Sequence, residues 1–135
     1  MEMMIDSPGG SRVDAHFAGF NVATDHSPEA SAPAPFELFL ASIGTCAGIY
    51  ILDYCRNHGL PMERVKLLER IHSNPETLMI DKIDIETQVP ASFPRDHYPA
   101  LIRAAELCKV KKHIAQPPLF EIYTKTTNDC TAKTT

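Results

Sequence analysis

A chain of 135 residues with a net charge of −4 is the size of one domain, and it lacks the clustered lysine and arginine that a nucleic-acid partner requires. Four cysteines without a CxxC spacing, and six scattered histidines, argue against a disulfide framework and against a zinc site. They read as thiols in a reducing, cytoplasmic compartment. The N-terminus has no positively charged run leading into an apolar one, so no secretory leader is expected.

In chain order, residues 1–6 read as a strand and Ser7-Pro8-Gly9-Gly10 as a turn. Val13, Ala15 and Phe17 alternate with Arg12, Asp14 and His16, the pattern of a half-buried second strand. Asn21 to Thr24 adds a short third strand. Residues 25–35, rich in Pro, Ser and Ala, form a loop.

The stretch from Pro35 to Asn57 organises the rest. It carries no charge between Glu37 and Asp53, and it is apolar nearly all round, which predicts a long helix buried on most faces. Leu40, Ile43, Ala47, Tyr50, Ile51 and Tyr54 form one stripe; Phe39, Ser42, Cys46 and Ile49 form the next. The run is read as too short, and too well flanked by charge, to span a bilayer. Gly44 and Gly48 each weaken a helix by roughly 1 kcal/mol against alanine, so close packing should offset them. Gly59 and Pro61 mark its end.

Val65, Leu67, Glu69 and Ile71 share one side of a following strand. After a turn at Ser73-Asn74-Pro75-Glu76, Ile83, Ile85, Thr87 and Val89 form an amphipathic partner that stops at Pro90. Asp96 is the expected N-cap of a second helix with Pro99 in its first turn. Leu101, Ala104, Ala105 and Cys108 share one face of that helix. Lys109 to Ile114 either continues it or forms a short separate helix. Residues 119–125 alternate as a last strand, and the polar tail 126–135 is expected to be disordered. The order is an α+β pattern, one domain over 1–135, with helices on mainly antiparallel sheet.

Only two of the cysteines can be paired by geometry: Cys46 and Cys108, on apolar faces of the two helices. Cys55 lies two and a half turns past Cys46 and points the other way; Cys130 is in the tail. Each also suits a plain core role, because free cysteine packs as a small hydrophobe. A redox cysteine must be a thiolate. The dipole of its own helix fades within the first turn, and burial raises a thiol's pKa. A cation from elsewhere is therefore needed. Arg12, always charged, is the first candidate, against a solvated strand position. Lys109, Lys111, Lys112 and His113 read as a solvated helix end.

The run PFELFLASIGTC from Pro35 to Cys46, the later AAELCKV from Ala104 to Val110, the strand order between them and the N-terminal hairpin together resemble the OsmC/Ohr superfamily, over residues 3 to 123. The resemblance implies an intertwined homodimer with antiparallel sheets around two long central helices and active sites at the interface. It implies Cys46 as the peroxidatic thiol and Cys108 as the resolving one, acting on organic hydroperoxides without a bound cofactor. A dithiol reductant, often a dihydrolipoyl group, restores both thiols. The family's arginine maps loosely onto Arg12. Its glutamate, ten residues before the first cysteine, falls here on Phe36, with the acid one place later at Glu37, a rotation of about 100° on a helix. That departure opens an alternative: a non-catalytic dimer that binds an apolar small molecule at its interface. Neither reading has a place for a nucleic acid or a membrane.

Overall fold

The computed structural model describes residues 1–127. Three strands, β1 (Met4–Gly9), β2 (Arg12–Phe17) and β3 (Phe20–Asp25), form an antiparallel meander. The first turn is tighter than the sequence suggests. β1 runs on through Ser7 and Pro8 behind a bulge between Asp6 and Gly9. After a loop comes α1 (Pro35–Asn57), then the hairpin β4 (Lys66–Ser73) and β5 (Ile80–Gln88), then α2 (Tyr98–Glu106) and α3 (Lys109–Ala115). This is the expected α+β architecture, with antiparallel sheets and three helices.

The loop before α1 is tied by Asp25. Its carboxylate accepts the Ser31 and Ser27 amides, each at 2.9 Å, and the Ser31 hydroxyl. Those donors, the Ser31 and Ser27 amides first, hold Asp25 well below the usual carboxylate range. At the far end of α1, Gly59 adopts φ +63°, a left-handed position that glycine takes without a Cβ penalty. Leu60 then returns its amide to Cys55 O at 2.8 Å.

The core lies at this C-terminal half of α1. Ile51, Cys55, Phe93 and Leu101 pack together, all but closed to solvent. The Tyr54 hydroxyl pairs with His97 Nδ1 at 2.5 Å and clasps α1 to the start of α2. In α1 the buried residues are Ile43, Ala47, Ile51 and Cys55, a single stripe at four-residue steps. The expectation of burial on most faces is therefore corrected: Phe36, Phe39 and Ile49 stand exposed. So is the exclusion drawn from length. By length and composition α1 could cross a membrane, with a mean hydropathy of 1.5; what marks it as a core helix is the stripe packed on α2, α3 and β4.

Three other expectations change. Asp96 lies inside a short 3-10 turn (Arg95–His97), and His97 precedes α2 in the N-cap position. Helix α2 stops at Glu106, so Cys108 leaves its face and becomes the N-cap of the separate helix α3. Residues 119–125 alternate as a strand should, yet they form none. A strand needs a ladder neighbour, and this segment has none among the described residues; Leu119, Phe120, Ile122 and Tyr123 are all largely exposed. Cys130, and the tail beyond residue 127, lie outside the described residues.

Candidate thiol site

Cys108 is brought against the turn of α1 that carries Cys46. Cys46 is half-buried near the middle of α1, on the stripe beside the core. Cys108 is buried, 1% exposed. The break between α2 and α3 turns Cys108 back toward α1, where its thiol donates weakly to Ile43 O at 3.9 Å. The same sulfur accepts the Lys111 amide at 3.4 Å and so caps α3.

The surroundings of the two sulfurs pull them apart electrostatically. Burial pushes the Cys46 thiol up. Against that, the nearby Val110 amide, Cys108 thiol and Lys109 amide act to lower it, as does the Lys109 charge. The balance holds Cys46 below its ordinary value. Cys108 is raised, by burial first, with the developing charge on Cys46 adding to the rise against the Lys111 amide. Of the two, Cys46 is thus the more readily ionised. Cys55 sits in the core cluster with Ile51, Phe93 and Leu101, and burial alone raises it.

Each sulfur faces its own space. Cys46 opens on an apolar groove of about 410 Å³ with Phe39, Lys109, Val110, His113 and Ile114. Cys108 lines a cavity of about 320 Å³ beneath the β4–β5 hairpin, walled by Ile43, Ile83, Ile85, Ile102 and Ile114. Ile114 belongs to both walls.

Arg12 and Glu37 are committed elsewhere in their own chain. The Arg12 guanidinium grips Asp14 through two bonds, the shorter 2.5 Å. The Glu37 carboxylate accepts the Ala34 amide at 3.1 Å and ties down the first turn of α1. Phe36 stacks on Phe39, with ring centres 5.6 Å apart, at the approach to the groove. The groups that act on Cys46 come instead from the start of α3. Sequence reasoning passed over Lys109 and Val110 because a lysine-rich run after a helix looks like a solvated end. The available signal was adjacency: Lys109 follows Cys108 directly, so whatever brings the second thiol to the first brings Lys109 with it. Among the described residues no three His, Cys, Asp or Glu side chains gather as a metal site would require.

Comparison with known proteins agrees with the fold. An OsmC-like protein from Mycoplasma pneumoniae superposes with a TM-score of 0.69 at 11% identity, over 86% of this chain and 87% of that one. The organic hydroperoxide resistance protein OhrB of Bacillus subtilis gives 0.50 at 16% identity, over 84% and 90%. An organic hydroperoxide resistance protein OsmC from Legionella pneumophila gives 0.50 at 17%, over 84% and 89%. No curated protein matches the sequence. Residues 27–122 match the model of the OsmC-like protein family, and the chain therefore belongs to that family.

Proposed function

We propose that this protein is a thiol-dependent peroxidase for organic hydroperoxides, working in the reducing cytoplasm as a homodimer. The observation that carries the reading is the placement of Cys108 against Ile43 O, on the turn of α1 next to Cys46, with the two thiols shifted in opposite directions. The Cys46 thiolate attacks the outer peroxide oxygen. The O–O bond breaks, the alkoxide leaves and takes a proton as the alcohol, and Cys46 becomes a sulfenic acid. The Cys108 thiol condenses with it, forming the disulfide and releasing water. A dithiol reductant, for which a dihydrolipoyl group is the family's usual choice, then returns both thiols by exchange and leaves as its own disulfide. The apolar groove at Cys46 suits the hydrocarbon part of such a peroxide.

Dimerisation is supported by what the chain leaves uncovered. The β1–β2–β3 sheet packs on little of the rest of its own chain, and Met4, Ile5, Val13 and Phe20 on it are exposed. So are the apolar residues of 119–123. Exposed apolar area on this scale is the mark of an interface.

The test is a free-thiol count after cumene hydroperoxide is added to reduced protein. Two thiols per chain are lost, and Cys46→Ser abolishes the loss. If Cys46 stays alkylatable after oxidant, the reading fails. The isoleucine-walled cavity at Cys108 favours a second reading, a non-catalytic dimer that holds an apolar ligand. That reading predicts peroxide-inert thiols and a thermal shift with decanoate; the absence of any shift counts against it.

A further inference from the structure

We propose that Lys109 is the cation that serves Cys46, supplied from within the chain by the residue next to the second thiol. The inference rests on the peroxidatic reading of Cys46 and adds a residue to it. Lys109 lines the groove onto which Cys46 opens. Its backbone is held in place, because the preceding Cys108 caps α3 through the Lys111 amide and is anchored to Ile43 O. Among the described residues no carboxylate pairs with Lys109, whereas Arg12 is engaged by Asp14.

The other groups near Cys46 do not compete. The titratable side chains lining this space are Lys109 and His113, with Cys108 at the sulfur itself. The His113 ring is turned back onto Lys109 O through Nδ1 at 2.7 Å. Lys111 lines the Cys108 cavity instead. Glu69 packs against Gly44, nearly half a turn around α1 from Cys46. Lys109 also answers the question the sequence raised at Phe36. With the charge delivered by α3, no glutamate at the helix start is needed to steer an arginine onto the sulfur.

The experiment measures the pH dependence of Cys46 alkylation by iodoacetamide in the full chain. The variants are Lys109→Met, Lys109→Arg and Arg12→Met, each in low salt and in 1 M NaCl. Lys109→Met should move the midpoint up by about half to one pH unit in low salt, the size expected of a single exposed charge. Lys109→Arg should restore it, Arg12→Met should move it less, and 1 M NaCl should erase most of the difference by screening. A Lys109→Met midpoint equal to the parent's overturns the proposal. So does a shift that salt leaves intact, or one that arginine does not rescue. Lys109 is exposed, so the fold should survive, and circular dichroism checks it. The assay uses no peroxide, so it separates the two ideas. Thiols inert to cumene hydroperoxide with the Lys109 shift present would sink only the peroxidase reading.

Discussion

Cys46 and Cys55 lie nine residues apart on one helix, and their surroundings differ in kind. Around Cys55, Ile51, Phe93 and Leu101 close a hydrocarbon core, and burial alone acts on the thiol. Around Cys46 the helix meets the start of another helix, with two amides, a second thiol and a lysine. A cysteine's chemistry is set by what the neighbouring element presents, and the helix that carries it contributes little. Half of α1 holds the fold together, and the other half holds the site.

That division can be broken at either end. The largest effect should come from the core half. Phe93→Ala removes a side chain that is 2% exposed and should cost about 3–5 kcal/mol, read as a lower midpoint in chemical denaturation. The same variant should make Cys55 reactive toward a thiol dye, while the Cys46 rate changes little.

In the site half, α1 approaches β4 closely at Gly44. A Cβ there would stand 2.6 Å from Glu69 Oε2. Gly44→Ala meets only the free end of the half-buried Glu69 side chain, which can swing away, so the roughly 1 kcal/mol helix gain should outweigh the contact. Denaturation midpoints should therefore rise for Gly44→Ala once the Glu69 carboxyl has moved out. They should rise without any such rearrangement for Gly48→Ala, whose Cβ would meet nothing nearer than Leu67 at 4.0 Å.

Glu69 itself gives a pH-dependent test. Burial raises its pKa, only partly offset by the Gly44 amide, and its Oε1 has no hydrogen-bond partner among the described residues. A raised carboxyl means that the folded chain binds the proton more tightly than the unfolded one. The stability this provides is complete below the unfolded value and is lost as pH rises through the folded one. Glu69→Gln should thus stabilise the protein at pH 7, by on the order of 1 kcal/mol. The gain should shrink toward pH 4. A constant gain across that range would show that charge burial is not the cause.

Much of this was legible in the chain. The five strands and α1 with its bounds at Pro35 and Asn57 follow from alternation, helical stripes and turn residues. Three things were not legible. The apolar composition of α1 could not tell a buried face from one left open, so Phe39 and Ile49 were expected inside. The break at Leu107–Cys108 has no glycine or proline to announce it, and α2 was carried two residues too far, to Cys108. Residues 119–125 have a strand's alternation, but alternation does not supply a ladder partner. In the site, Arg12 was preferred because its charge is permanent, while Lys109 was hidden in a run that composition alone makes ordinary.

The most direct test of the thiol account is peptide mapping after one equivalent of organic hydroperoxide, with free thiols blocked before digestion. The account predicts a Cys46–Cys108 cross-linked peptide, with Cys55 recovered in its blocked, reduced form. Recovery of Cys46 and Cys108 as free thiols, or a link that involves Cys55 instead, would contradict it.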